Sequence, residues 1–380
     1  MNHKIAHVPV IIFLATLLSA CGANDPSGVA NSIGSESAGN NGCVDRSTKL
    51  GIEGGGLRRL IGGITDIGND DTLVVGCQPV SARNAVVVVE GEIVTLRDLE
   101  VGQIVEVLGR LEPQSGDLQA ERITGKVEPD SHGRYVGTVT IGGVDYFGDA
   151  LLTVDGAIRL HVGGPYSATG ALQSTRPETS AQFVGTLQVQ GSDATGNGVV
   201  IGQGCASAAP IRFCNGAAPA EIRVFVNANS VEGELQVSTN AGEETWLLNL
   251  DAWSNYYLLS AERSYLAGSY RELIAEFNVG ADLIMSIDSD GRLFFQSAPS
   301  DCVANGTLEP HLDGSFNVYD VELTLASCTG LYAYLNGAYE GFATTTPGSV
   351  WDYDVRLRVW LSKADGAPPT AAVTLLGDPL

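Results

Sequence analysis

The feature that most constrains this chain is a recurring Asx-Gly dipeptide set between short apolar runs. Asp155-Gly156, Asn215-Gly216, Asp290-Gly291, Asn305-Gly306, Asp313-Gly314, Asn336-Gly337 and Asp365-Gly366 suit two-residue type I′ hairpins, which need positive φ at both central positions. The segments between them, among them YVGTVTIG, ALLTV, AIRLHV, AQFVGTLQV, EIRVFV and VEGELQVST, have the composition and period of half-buried strands. Glycine reaches 47 of 380 residues and charged residues only 17%. These features predict an all-β fold. DAWSNYYLLSAERSYL (251–266) is the exception: Trp253, Tyr256, Tyr257 and Ser260 lie at helical spacing, so one connecting helix is expected there.

The first residues predict a location. Met1 to His7 form a weakly basic segment carrying Lys4, Val8 to Leu18 are almost wholly apolar, and Ser19-Ala20 are small. This is the pattern of a secretory signal peptide and is too short for a comfortable membrane span. Leu18-Ser19-Ala20-Cys21 resembles the lipobox of bacterial lipoproteins, which implies that Cys21 is acylated and becomes the new N-terminus. Acyl chains contribute about 0.8 kcal/mol per buried CH₂, and two or more give stable anchoring to a bilayer. Gly22, in place of aspartate, resembles lipoproteins sent to the outer membrane of Gram-negative cells. The expected location is therefore the cell envelope, with the body on the periplasmic or outer side. Residues 21–50, rich in Gly, Ser, Asn and Ala, read as a flexible tether.

Net charge and cysteines agree with that setting. A formal charge of −23 repels phosphate backbones and anionic headgroups, which disfavours nucleic acid as a partner and leaves membrane contact to the anchor. With Cys21 given to lipid, six cysteines remain for disulfides in an oxidising space: Cys43, Cys77, Cys205, Cys214, Cys302 and Cys328. Fifteen pairings are open. The sparest is sequential, Cys43–Cys77, Cys205–Cys214 and Cys302–Cys328. For the last pair, a turn centred near Ser315 makes residues whose numbers sum to about 630 face each other, as these two do. No CxxC or zinc spacing occurs.

Three folded parts follow the tether. Residues 51–130 hold five β-rich segments in roughly 75 residues, which suggests a small OB-like barrel. GIEGGGLRRLIGGITDI, LRDLEVGQIVEVLGRL and LQAERI resemble the family called domain of unknown function 5666, through Gly51, Ile52, Gly54, Gly56, Leu99, Gly102, Val105, Val107, Gly109, Ala120 and Ile123. That resemblance implies an OB-like barrel in an envelope protein and carries no activity. VGCQPVSAR puts Cys77 in the second strand region, where that pattern has no thiol. Residues 131–265 read as an antiparallel β domain, barrel or sandwich, ending in the connector helix. Residues 266–380, opening with LAGSY, resemble lipocalin-like barrels of bacterial lipoproteins. An internal echo links the last two parts: GDALLTVDGAIRL (148–160) and GADLIMSIDSDGRLFF (280–295) are each strand, Asp-Gly turn and strand.

Chemistry-bearing patterns are sparse. No G-x-S-x-G occurs, and the histidines of the mature chain, His132, His161 and His311, lie beside no nucleophile. The glycine-rich GIEGGGLRRLIGG lacks the Lys-Ser/Thr of a phosphate loop. Asp288 and Asp290 have D-x-D-G spacing but no closing glutamate for calcium. No cofactor motif is present. The aromatics Tyr319, Tyr332, Tyr334, Tyr339, Trp351, Tyr353 and Trp360 could line a cavity in the last barrel. The sequence thus leads to a non-enzymatic envelope lipoprotein acting through binding or structural interaction with a protein partner. A carrier of a small apolar or aromatic ligand in the C-terminal barrel is the alternative.

Overall fold

The computed structural model describes residues 48–49, 56–126, 131–165, 180–203, 217–239, 242–253, 255–272, 283–297, 301–347, 355–364 and 371–379. Cys21, Cys43, Cys205, Cys214, Trp351 and Tyr353 lie outside the described residues, as do Asn215-Gly216 and Asp365-Gly366. Among the described residues the chain is almost all strand, in three successive sets.

The first set comprises β1 (Thr48–Lys49), β2 (Leu57–Ile67), β3 (Thr72–Val75), β4 (Gln78–Ser81), β5 (Val86–Val89), β6 (Glu92–Val94), β7 (Ile104–Leu111) and β8 (Leu118–Gly125). They pair in the order β1-β2-β3-β4-β8-β5-β6, and β7 pairs both β2 and β8. The pairings β2-β3-β4-β8-β7 therefore return to β2, with β4 and β8 meeting over only two residue pairs. Leu60, Ile64, Leu73, Val105, Val107 and Ile123 fill the concave side. There are eight strands where five segments were read. NAVVVVEGEIVTL is a hairpin, because Glu90 (φ 52°) and Gly91 (φ 83°) reverse the chain in two residues. Cys77 lies not in a strand but in the two-residue turn that Gly76 (φ 60°) opens between β3 and β4. It is half-buried and has no disulfide partner among the described residues, its expected partner Cys43 lying outside them.

The second set is β9 (Gly133–Ile141), β10 (Val144–Leu152), β11 (Ala157–Pro165), β12 (Ser180–Gln190), β13 (Asp193–Gln203), β14 (Ala217–Val226), β15 (Ser230–Thr239) and β16 (Gly242–Ala252). Each strand is antiparallel to the next, and β16 pairs with β9, closing an eight-stranded barrel. Strict alternation drives this: along β14 every second residue from Ala218 to Val226 is buried, so one face fills the barrel and the other faces out. The third set is β17 (Gly268–Glu272), β18 (Leu283–Ile287), β19 (Arg292–Ser297), β20 (Val303–Pro310), β21 (Tyr319–Ala326), β22 (Gly337–Pro347), β23 (Val355–Lys363) and β24 (Ala372–Pro379). It closes through β17 and β24 into a second eight-stranded barrel.

The Asx-Gly dipeptides act differently from the expectation. Gly156 (φ 86°) and Gly291 (φ 79°) are left-handed, but Asp155 and Asp290 are not. Each pair closes a three-residue connection in which the glycine follows an ordinary turn. A Cβ on Gly156 would lie 2.4 Å from the Leu187 carbonyl oxygen, and one on Gly291 2.3 Å from that of Leu308. These matching turns join the second and third strands of each barrel, where the sequence echo falls. Among the described residues, the true two-residue turns with both φ positive are Glu90-Gly91 and Gly142-Gly143. Asn305-Gly306 lies inside β20 rather than in a turn, since Gly306 lets β21 approach: a Cβ there would meet the Glu322 carbonyl oxygen at 2.2 Å.

The expected helix over 251–266 does not form. β16 runs to Ala252, and two short 3-10 turns follow, Asn255–Leu258 and Arg263–Leu266. The backbone groups that a helix would pair internally are engaged by other modules. Ser260 N–H donates to Glu106, Ala261 N–H to the Gly314 carbonyl, and the Tyr257 carbonyl accepts from Asn317 N–H.

Cys302 and Cys328 form a disulfide, as the strand layout predicts. The register differs by one: β20 and β21 residues sum to 629, which would place Cys302 opposite Ser327. Ser327 adopts φ 62° and acts as an extra residue, carrying Cys328 into position. Sequence separation is 26, for which loop closure contributes roughly 3–4 kcal/mol. Replacing both cysteines by serine is expected to lower stability by about that amount, read as a shift in the urea midpoint.

Candidate functional site

Two buried polar seams join the three modules, and they hold the ionisable groups Glu106, Asp149, His161 and His311, all shifted from their ordinary pKa values. The first lies between β7 and the connector. On β7, Val105 and Val107 face the core of their own sheet, so Glu106 faces away and is covered by residues 257–265. Its carboxylate accepts from Arg59 Nε at 3.1 Å, Ser260 N–H at 3.0 Å and Ser260 Oγ at 2.7 Å, with Lys126 Nζ at 3.0 Å. Arg59 also donates to the Ser260 carbonyl at 2.6 Å and lies 4.4 Å over the Tyr265 ring. Burial alone would raise the Glu106 pKa; Arg59, Lys126 and Ser260 overcome it and hold the group at about 2.

The second seam lies between the barrels. Asp149 on β10 points away from its own barrel yet is buried, with Arg358 of β23 against it and the neighbouring Leu151 packed with Phe342 of β22 and Trp360 of β23. Arg134 on β9 grips it through two hydrogen bonds of 2.9 Å, and Arg358 on β23 of the other barrel approaches to 3.1 Å. Burial opposes ionisation of Asp149, but the two guanidiniums win and keep its pKa below the ordinary value. Strand register places His161 and then Gln182 beside Asp149 on the same face. Burial, aided by Arg358, pushes His161 down to about 3, so it is neutral at ordinary pH. Trp360, two residues beyond Arg358, packs against Leu151, Phe342 and the connector.

At the far end of this seam His311 bridges the barrels. Its Nδ1 lies 2.9 Å from Asp320, and its Nε2 3.4 Å from Asp155 in the β10–β11 turn. The Asp320 hydrogen bond raises its pKa against burial, with the Asp320 and Asp155 charges adding to it. A raised pKa stabilises the folded state fully below the ordinary histidine value, and that stabilisation is lost as pH rises through the raised value. His311→Gln is therefore expected to cost more stability at pH 6 than at pH 9, measured by urea unfolding at the two values. Equal losses would refute the bridge.

The residues singled out in the sequence are dispersed. Tyr319 and Tyr339 fill the interior of the second barrel; the Tyr319 hydroxyl bonds the Glu262 backbone at 3.2 Å and the Tyr339 hydroxyl the Leu335 carbonyl at 2.9 Å. Trp360 is outside that barrel, since its β22 partner Phe342 alternates with the inward Tyr339. Tyr334 is exposed, and Tyr332 lies in the short turn Gly330–Leu335. Tyr319 and Tyr339 thus lie inside the barrel while Tyr334 and Trp360 lie outside it, so these four do not share one cavity. His132 meets the Tyr257 hydroxyl at 2.9 Å. Asp288 accepts from the Asp290 and Arg292 N–H groups of its own turn, and among the described residues no cluster of three or more His, Cys, Asp or Glu could hold a metal.

What the sequence reading missed are the seam residues, Arg59, Glu106, Lys126, Arg134, Asp149 and Arg358. One local signal was available for a different feature. Tyr265-Leu266-Ala267-Gly268-Ser269-Tyr270 recurs as Tyr334-Leu335-Asn336-Gly337-Ala338-Tyr339. Each ends a 3-10 turn and opens a strand, with the second tyrosine bonding the leucine carbonyl four residues back. No family model matches this chain, and no curated protein is detectably similar to it.

Proposed function

We propose that this chain is a lipid-anchored protein of the bacterial envelope that acts by holding a rigid three-module β body against a protein partner. The anchor is Cys21 of the lipobox-like Leu18-Ser19-Ala20-Cys21. The Cys302–Cys328 disulfide suits an oxidising compartment. The observation that carries the binding role is the edge formed by β6, the last strand of the first sheet. Natural edges are commonly guarded by shortness, charge, proline or a covering element, and β6, three residues long with Glu92, carries the first two while leaving Ile93 bare. Here Ile93 is 79% exposed and pairs with Val88 of β5, on the same sheet face as Val86, which is 46% exposed. An unpaired edge with β-branched side chains is a template for strand addition by another chain. The interior of the last barrel is filled by Tyr319, Tyr339, Phe295 and Met285, which supports a surface role over carriage of a small ligand.

The test is a photo-crosslinking residue at Ile93 in the full chain, in intact cells, beside one at the exposed Phe225 of the first barrel. A discrete adduct from position 93 alone is expected. Cys21→Ser should release the protein from the membrane fraction and abolish fatty-acid labelling. Absence of an adduct removes the binding role, and unchanged membrane association removes the anchor.

A further inference from the structure

A groove of about 630 Å³ runs over the outer face of the second barrel, on β17 to β20. Strand register sets Ser269, Ser286, Phe294 and Asn305 side by side across it, each the partner of the next. Adjacent strands lie about 4.8 Å apart, so the row is about 14 Å long. These residues alternate with the buried Tyr270, Met285, Ile287, Leu293, Phe295 and Ala304 and so point outward. The groove exists because Ser269 and Ser286 are too small to fill the face beside the Phe294 ring, which is 44% exposed. The side chains of Ser269, Ser286, Asn305 and Thr307 have no protein partner among the described residues. At one end Arg292 on β19 and Asp288 in the preceding turn add one charge of each sign. The face thus offers a ring for stacking, hydroxyl and amide groups for hydrogen bonds, and no net charge. A second groove, of about 440 Å³ over β12 to β14, has threonine, glutamine and asparagine side chains but no aromatic, and its Arg223 is paired with Glu221.

We propose that the groove over β17 to β20 binds a neutral glycan built of β-linked pyranoses, with one sugar ring stacked on Phe294. A pyranose whose hydroxyls are equatorial presents an apolar C–H face and a polar rim. The face suits the negative π-surface of an aromatic ring. The rim suits the hydroxyl of Ser286 and the amide of Asn305, which flank that ring on either side. Ligand sites combine an apolar surface with a few convergent polar groups in this way. An extended polypeptide is matched less well, because each of β17 to β20 is already paired on both sides and offers no edge to extend. An acidic chain finds no cationic surplus, since the Asp288 carboxylate accepts from the Arg292 N–H and the protein carries −23 overall. The site uses neither β6 nor Cys21, so it is independent of the partner reading.

The probes are cellotetraose and tetra-N-acetylchitotetraose, titrated calorimetrically into the full chain in a detergent without a sugar headgroup. An open groove with one stacked ring gives weak binding, so at least one probe should show a Kd on the order of 10⁻⁴ to 10⁻³ M. Phe294→Ala should weaken it about tenfold, Phe294→Trp should preserve or tighten it, and Asn305→Ala should weaken it about fivefold. Both positions face outward, so the barrel core is untouched in these variants. Phe225→Ala, at the exposed phenylalanine of the first barrel, should change nothing. Affinity should also hold between about 50 mM and about 500 mM salt, since no net charge takes part. Failure of both probes to bind at about 10 mM, or equal affinity in the wild type and Phe294→Ala, would overturn the site. A marked fall in affinity with salt would overturn the neutral class of ligand. A photo-crosslinking residue in place of Phe294 that captures a discrete protein, with neither glycan binding, would overturn the proposal in favour of a protein contact.

Discussion

Replacing Asp149 by asparagine is expected to destabilise the chain by about 3–5 kcal/mol, the cost of removing one partner from a buried ion pair. The side chain keeps its shape and one acceptor oxygen, so packing is unchanged. What is lost is the only described carboxylate within reach of both Arg134 and Arg358, whose side chains are 10% and 4% exposed. Two guanidiniums then remain in a low-dielectric seam from which neither can turn to water. Since β9 and β10 belong to one barrel and β23 to the other, the damage should fall on the contact between barrels. Urea unfolding should show the wild-type transition moving to lower concentration or splitting in two, as each closed barrel retains its own core. Changing Asp149, Arg134 and Arg358 together to apolar residues of similar volume should recover most of the loss. A single substitution costing under about 1 kcal/mol would show that Asp149 is not a buried partner at all.

The fold class was legible because barrel strands carry their own pattern. The residues of β14 alternate buried and exposed along its whole length, and no knowledge of the partner strand is needed to read that. Closure was not legible: whether β16 returns to β9 depends on the number and twist of strands, not on any one of them. The connector failed for a related reason. Trp253, Tyr256 and Tyr257 are spaced as in a helix, yet the hydrogen bonds around Tyr257, Ser260 and Ala261 come from Glu106, Gly314 and Asn317, up to 154 residues away. The Cys302–Cys328 pair was readable because both cysteines flank a single hairpin. The seams were hidden by the alternation that revealed the strands. Arg356-Leu357-Arg358-Val359-Trp360 reads as a strand with a wet charged face, and Asp149 reads likewise beside Ala150. Trp360, expected to line the barrel interior, shares the outward face of β23 with Arg358, and only the neighbouring module makes that outside dry.

Acid should separate the first module from the rest before it unfolds either barrel core. Glu106 titrates at about 2 in the folded chain against an ordinary value of 4.5. A depressed carboxylate pKa contributes stability that is complete above the ordinary value and is lost as pH falls through the folded one. At 1.36 kcal/mol per unit the difference corresponds to roughly 3 kcal/mol, lost between about pH 4.5 and pH 2. Every group facing Glu106 works in the same sense: Arg59 and Lys126 pair with its carboxylate, Ser260 donates twice, and Tyr265 is a phenol that carries no charge in this acid range. Protonation leaves Arg59 and Lys126 buried against a neutral acid, so the connector should open. Hydrogen exchange at Ser260 N–H, which donates to Glu106, reports this directly: protection should fall between pH 4.5 and pH 2 while that of Val139 and Val321, inside the barrels, persists. Glu106→Gln should show the low protection already at pH 6 and little further change on acidification. If Ser260 stays protected in that variant, the ion cluster does not hold the module in place and the apolar contacts of Tyr257 and Leu258 with Ile104 do.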